Sequence, residues 1–151
     1  APAPLLADLP RLAQSMTEFN DEQLVLVGRR HLRSNNSWMH NIEVLVKGKA
    51  RCTLQMHPND AQRVGVKEGS VARIASRVGA VDAVVELTSD IRERVVSLPH
   101  GWGHDMSGTR MHVAAKRAGV NSNVLTDENE MDPLSGNSVM NGIPVTITPV
   151  G

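Results

Sequence analysis

The chain has 151 residues, and 16 Lys and Arg are balanced by 16 Asp and Glu. That length suits one domain, able to bury roughly 70% of the surface its unfolded form exposes, and the cancelled charge leaves no global field to draw DNA or an anionic membrane. Phe19, Trp38 and Trp102 are too few aromatics for a row of stacking platforms on single-stranded nucleic acid, no apolar run approaches the ~20 residues of a membrane span, and the lone Cys52 allows neither an internal disulfide nor a Cys-rich metal site. Nucleic acid and membrane are therefore not expected as partners, and the single cysteine tilts the compartment towards the cytoplasm or another reducing place.

The opening "APAPLLADLP" has no Met and no signal-like apolar core. Residues 1–21 read as a connector from a larger parent subunit, and residues 22–151 as the folded domain. Leu5, Leu6, Leu9 and Leu12 make a weak helical stripe broken by Pro10. The stripe either packs on a surface of the parent or straps this domain; in the first case the segment is mobile in isolation. Strand signals follow: "QLVLVG" (23–28), "CTLQM" (52–56), "SVARIASRVG" (70–79), "AVDAVVEL" (80–87), "RVVSL" (94–98) and "IPVTITPV" (143–150). The third and fourth should pair as a hairpin across Gly79. "HPNDAQRVG" predicts a short helix with Asn59 as N-cap, Asp60 in the first turn and Gly65 at the stop. "SWMHNIEVLV" and "MHVAAKRAG" each suit a couple of helical turns. Residues 99–142 are long, unpatterned and rich in Gly, Asn, Ser and Asp, the mark of a functional or disordered loop. The class is mainly β, and six short strands with brief helices and long loops predict a small closed barrel.

Chemistry concentrates in "VGRRHLRSNNSWMHN" (27–41). Arg29, Arg30, His31 and Arg33 are followed by Ser34, Asn35, Asn36 and Ser37, a composition that suits a fixed anion with hydrogen-bonding edges beside it. In "HGWGHD" the spacing of His100 and His104 would serve zinc only on a helix, and Gly101 and Gly103 argue against one. A loop that carries its backbone close to a ligand is the better reading, with an ordinary glycine turn as the plain alternative. Nucleophilic catalysis finds little support. There is no G-x-S-x-G elbow, Cys52 falls in a strand, and Ser34 and Ser37 have only His31 and His40 nearby in sequence. Phosphate-cradling and Rossmann glycine patterns are absent. Among the late asparagines, Asn129 and Asn137 read as turn residues, whereas Asn121 and Asn123 could match the edge of a heterocycle.

Five pieces in order, "VGRRHLRSNNSWMHN", "HPNDAQRVGVKEGSVARIASRVG", "VVSLPHGWGH", "GVNSN" and "DPLSGNSVMNGIPVTI", resemble the C-terminal dinucleotide-binding domain of molybdopterin oxidoreductases, the dimethyl sulfoxide reductase and formate dehydrogenase superfamily. The resemblance covers roughly residues 22–150 and implies a six-stranded double-psi β-barrel. It implies a bis(molybdopterin guanine dinucleotide) cofactor, whose molybdenum or tungsten is held by the remainder of the parent catalytic subunit, formate dehydrogenase-like in its reaction. The implied cofactor-binding set is Gly28, Arg29, Arg30, His31, Arg33, Ser34, Asn35, Ser37, Asp60, His100, Gly101, Asn121, Asn123 and Asn141. Asp60 is there either a guanine contact or only a helix-start residue, and Asn141 falls where some relatives place a lysine. No catalytic residue and no metal ligand is expected on this chain, which alone should bind poorly and catalyse nothing. Two rivals are a stand-alone double-psi barrel used for protein recognition and a small metal hydrolase at "HGWGHD".

Overall fold

A computed structural model describes residues 1–17, 20 and 23–151. Six strands, β1 (Leu24–Arg29), β2 (Thr53–Met56), β3 (Val71–Ala75), β4 (Ala80–Leu87), β5 (Val95–Pro99) and β6 (Ile143–Pro149), close into a barrel in the order β1-β5-β2-β4-β3-β6. Two neighbour pairs are parallel, β1 with β5 and β2 with β4; the rest are antiparallel. Replacing each strand by the one three places away (β1 by β4, β2 by β5, β3 by β6, and back) maps these pairings onto themselves and exchanges the two parallel pairs. Strand β5 lies between β1 and β2, and β2 lies between β4 and β5, so each half of the chain threads a strand through the other. That is the double-psi barrel expected from the sequence.

Period-two burial builds the interior. In β6 Ile143, Val145 and Ile147 face inward while Pro144, Thr146 and Thr148 face out; in β3 Ala72 and Ile74 are buried between exposed Val71 and Arg73. With Leu24, Leu26, Leu54, Met56, Val85, Val96 and Leu98 they form one core, worth roughly 1.5–3 kcal/mol for each fully buried large side chain. The β3–β4 hairpin closes through Ser76 N–H on Gly79 O at 2.9 Å.

Several local readings shift. The amino-terminal stretch forms α1 (Ala3–Ala7) and α2 (Leu9–Thr17); Pro10 is accommodated in the first turn of α2. No residue of either helix is buried, so the leucine stripe is not a strap sunk into the barrel. Of the connector, Glu18, Phe19 and Asp21 lie outside the described residues, as does the boundary at 21/22. "SWMHNIEVLV" supplies one short helix, α3 (Glu43–Val46), after a run of turns. The helix α4 is Pro58–Val64, so the N-cap is His57, whose Nδ1 accepts from Asn59 N–H at 3.2 Å. Asn59 is not the cap, because Pro58 has no amide hydrogen to satisfy and its fixed φ suits the first helical position. Gly65, at φ 76°, ends this helix in the left-handed conformation. "MHVAAKRAG" gives only α5 (His112–Ala115). The long 99–142 segment also holds a 3-10 turn at Ser122–Leu125 and a bridge pairing Met131 with Ser138.

The register sorts the connections by end. β1 and β5 finish where β2 and β6 begin, and β3 turns into β4 at that end as well. The polar connections 30–52, 76–79 and 100–142 therefore gather at one mouth of the barrel. Residues 57–70, with α4, and residues 88–94 occupy the opposite mouth. No helix among the described residues is long and apolar enough to cross a membrane.

Candidate cofactor-binding face

The basic cluster that ends β1 divides its labour. Arg29, half-buried, turns across the neighbouring strand ends, where its guanidinium donates to Ser97 O at 2.6 Å, Thr53 O at 2.8 Å and Thr53 Oγ1 at 2.9 Å. It bridges the gap where β2 diverges from β5, and burial pulls its pKa down while Glu86 opposes that. Thr53 Oγ1 in turn donates to Glu86, which Lys49 holds at 3.1 Å, and the Thr53 bond leads in keeping the Glu86 carboxyl below its usual range. Arg30 reaches outward and donates to Asn36 Oδ1 at 2.9 Å. His31 is half-buried, and desolvation, with Arg51 and Arg29 close by, lowers its pKa. Its imidazole is therefore neutral at pH 7. Exposed Arg33 and outward-facing Arg30 remain as the cations of this loop available to an anion.

Three loops stack beneath these side chains through glycines. A Cβ on Gly101 would stand 2.5 Å from the Asn36 carbonyl carbon, and one on Gly103 would stand 2.7 Å from Asn121 Cβ. Both glycines have positive φ, 81° and 95°. The glycines of "HGWGH" thus bring that backbone against its neighbouring loops, where the sequence suggested approach to a ligand. Asn35 and Asn36 also sit at positive φ, 41° and 61°, which Asn tolerates better than most residues. Ser34 is buried and its hydroxyl donates to His31 O at 3.2 Å, closing the turn. Half-buried Ser37 packs at the Gly101 contact.

Behind the stack, His40 is fully buried edge-on against Trp102, ring centroids 3.8 Å apart, with His104 at 5.0 Å. Burial, helped by His104, pulls the His40 pKa down to about 4. His31 Nδ1, both ring nitrogens of His40, His100 Nε2 and Trp102 Nε1 are buried without a hydrogen-bond partner, whereas His104 Nε2–H donates to Gly101 O at 2.9 Å. Buried polar atoms nearly always find partners, so this concentration at one mouth marks a face whose hydrogen bonding is incomplete.

Beside it opens a cleft of about 130 Å³ lined by Leu26, Gly28, Arg30, Leu98, His100, Ser122, Asn123, Thr126, Met140, Asn141 and Ile143. Its floor is apolar and its rim is amide, hydroxyl and guanidinium. A site that encloses a ligand measures about 300–1,000 Å³, so this cleft is too small to enclose one whole. Asn141 Oδ1 already accepts Gly28 N–H at 2.8 Å, fastening β6 to β1.

The structure thus brings Gly28, Arg30, His31, Arg33, Ser34, Asn35, Ser37, His100, Gly101, Asn121, Asn123 and Asn141 to one mouth of the barrel. It does not bring Asp60 there. Asp60 is 1% exposed, accepts from Arg63 at 2.8 Å and from Arg94 N–H at 2.6 Å, and so belongs to the opposite mouth. Of its two sequence readings, the helix-start role is the one the geometry fits. Asn121 caps the 3-10 turn, its Oδ1 accepting from Asn123 N–H at 3.0 Å, which leaves Asn123 on the cleft. The sequence reading missed Ser122, Thr126 and Met140 on the cleft wall and the His40–Trp102 pair below; no local spacing signals a contact made between loops. It also missed Asn41, whose Oδ1 accepts the amides of Val113 and Ala114 and ties the first loop to α5. Among the described residues no group of three or more His, Cys, Asp or Glu side chains is arranged to hold a metal ion.

Fold and face together define a double-psi barrel with a polar, incompletely paired surface at one mouth, suited to an extended anionic heterocycle. The family model for the molydopterin dinucleotide binding domain matches residues 24–144, and the chain belongs to that family; its cofactor is a molybdopterin guanine dinucleotide with the metal supplied by the parent subunit. A tetrathionate reductase polypeptide of Salmonella typhimurium is 30% identical over 109 residues, 61% of this chain and 11% of that protein. The molybdopterin-containing subunit of the arsenate respiratory reductase of Chrysiogenes arsenatis is 27% identical over 95 residues, 62% of this chain and 11% of its own length. Acetylene hydratase from Pelobacter acetylenicus shares the fold with TM-score 0.68 and 21% identity, over 96% of this chain and 20% of that one. The chain spans about a tenth of the curated relatives it matches.

Proposed function

We propose that this chain is the cofactor-clamping domain of the catalytic subunit of a molybdenum or tungsten oxidoreductase, with residues 1–21 as its connector to that subunit. The observation that carries the reading is the convergence of loops 30–52 and 100–142, with their unpaired imidazole and indole nitrogens, at one barrel mouth. The residues present fit the group. Arg33 and Arg30 would meet phosphate oxygens through charge-assisted bonds. The His31 and His100 rings would donate to or accept from a pterin or guanine edge, and Asn123 would add its amide from across the cleft. When bound, the cofactor supplies the metal that changes oxidation state. This chain binds and orients the group and shields it from water. The sequence resemblance points to a formate dehydrogenase-like reaction, whereas the relatives above act on tetrathionate and arsenate; what the three share is a small oxyanion, which we take as the substrate class.

The test measures molybdenum, tungsten and guanine per purified full-length subunit. A charge-assisted hydrogen bond contributes roughly 1.5–3 kcal/mol, ten- to a hundredfold in an equilibrium. Arg33→Ala should therefore lower occupancy at least about tenfold under limiting cofactor, Arg33→Lys should restore it only in part because a point charge lacks the planar fork, and Asn123→Ala should act more weakly. Asn129→Ala, on the same segment but held by Asp127 at 2.9 Å, should change nothing. Full occupancy in Arg33→Ala and Asn123→Ala alongside loss in Asn129→Ala would overturn this placement of the site.

A further inference from the structure

The turn that carries Asn123 to the cleft is held from behind by the tip of the β3–β4 hairpin. Ser122, Asn123 and Thr126 line the cleft, while Leu125 is sunk in the core and Val124 is exposed. Val124 lies against the hairpin: a Cβ on Gly79 would stand 2.8 Å from Val124 Cγ1 and closer still to its carbonyl oxygen. Immediately after the turn comes Asp127, which is 9% exposed. Its Oδ1 accepts Asn129 N–H at 2.9 Å, and its Oδ2 accepts both from Nε and from a terminal nitrogen of Arg77 at the hairpin tip. The Arg77 bond leads in holding the Asp127 carboxyl below its usual range, and Glu128 and Glu130 add to the attraction on Arg77. Without that cation, residues 127–130 would set three carboxylates together.

We propose that Arg77 is a positioning residue for the cofactor face: acting through Asp127, it fixes the Ser122–Leu125 turn and so keeps Ser122, Asn123 and Thr126 on the cleft wall, ready for the cofactor. This rests on the function proposed above and adds the group that orders one side of the site. Among the described residues, the other hydrogen bonds of residues 121–129 stay within residues 121–130, so Arg77 supplies the hydrogen-bonded tie between this turn and the barrel. The Arg77 side chain is 65% exposed, and an exposed ion pair contributes little to global stability. Its effect is therefore local. Arg77 itself stands behind the turn and does not line the cleft.

Hydrogen exchange on the full-length subunit, purified from molybdate- and tungstate-starved cells, reads the positioning without the cofactor. The amides of Val124, Thr126 and Asn129 should exchange at least about threefold faster in Arg77→Ala than in the unaltered subunit, and faster again in Arg77→Glu, while peptides from β3 and β6 keep their rates. Both Arg77 donors converge on one oxygen, so a point charge can replace them, and Arg77→Lys should stay within about twofold of the unaltered subunit. Metal and guanine content under limiting cofactor should fall in the same order, Arg and Lys above Ala, and Ala above Glu. Unchanged exchange at the turn in Arg77→Glu would overturn the proposal. So would equal exchange in Arg77→Lys and Arg77→Ala, which would make the contact one of packing, or acceleration that spreads to β3 and β6, which would make Arg77 a residue of general stability. Full cofactor in every Arg77 variant alongside loss in Asn123→Ala would overturn it while leaving the site in place; full cofactor in Asn123→Ala as well would overturn the site and the proposal together.

Discussion

Arg29 separates a structural guanidinium from a ligand-binding one. Arg29→Met keeps the length and most of the stem while removing every donor. The bonds lost are those to Ser97 O, Thr53 O and Thr53 Oγ1, at 2.6, 2.8 and 2.9 Å. Each is charge-assisted and worth roughly 1.5–3 kcal/mol. The sum overstates the effect, because the half-buried guanidinium gave up part of its hydration to make these bonds and methionine carries no such cost; a net loss of about 3–4 kcal/mol is expected. For a chain of this length each kcal/mol lowers Tm by about 2–4 °C, so the midpoint should fall by roughly 6–16 °C. Arg29→Lys should recover less than half, since one ammonium cannot reach both strands. Thermal and urea unfolding of the isolated chain, followed by far-ultraviolet circular dichroism, reads this directly. A Tm for Arg29→Met within about 2 °C of the parent, together with reduced cofactor content in the full-length subunit, would refute the reasoning and return Arg29 to the set of ligand contacts.

Two further outcomes follow from the loop stack. His40 has its pKa lowered to about 4 in the folded chain, against an ordinary value near 6.5 when unfolded; the unfolded state therefore takes up its proton first as pH falls. Stability from this group is complete above about pH 6.5, declines through the window, and is lost near pH 4, a change of about 2 kcal/mol after allowance for solvent screening. His40→Phe, which preserves the edge-on contact with Trp102, should flatten the urea-midpoint profile between about pH 6.5 and 4.5, and an unaltered slope would disprove the assignment. Gly101→Ala places a methyl 2.5 Å from the Asn36 carbonyl carbon at φ 81°, so it should cost at least about 2 kcal/mol; a midpoint equal to the parent's would mean that the two loops are not in contact.

The six strands were legible in the sequence because each carries its own signal. Ile143, Val145 and Ile147 alternate with polar or exposed neighbours, and the β3–β4 hairpin is local, so period and turn chemistry suffice. The cofactor loop was legible as composition, through Arg29–Arg33 and Ser34–Ser37. What those residues do was not. Arg29 and Arg30 are adjacent and chemically identical, yet one is half-buried across the carbonyls of β5 and β2 and the other lines the cleft, because successive residues point to opposite sides and only the barrel's closure says which side holds carbonyls awaiting a donor. Asp60 and Asn123 both stood among the contacts implied by the sequence resemblance, Asp60 with a helix-start role as its alternative. The crossing of β1, β5 and β2 puts them at opposite mouths, through pairings between residues distant in the chain that no short motif encodes. His40 and Trp102 likewise acquire their buried, unpaired nitrogens only when Gly101 and Gly103 let loops approach closely and Gly119 leaves room for the Cys52 and Trp102 side chains. The sequence by itself determined the strands, the hairpin and the polar character of the long loops, all of which depend on neighbours in the chain. The tertiary structure alone decided which basic group is free to meet an anion, since that depends on what the fold places opposite it.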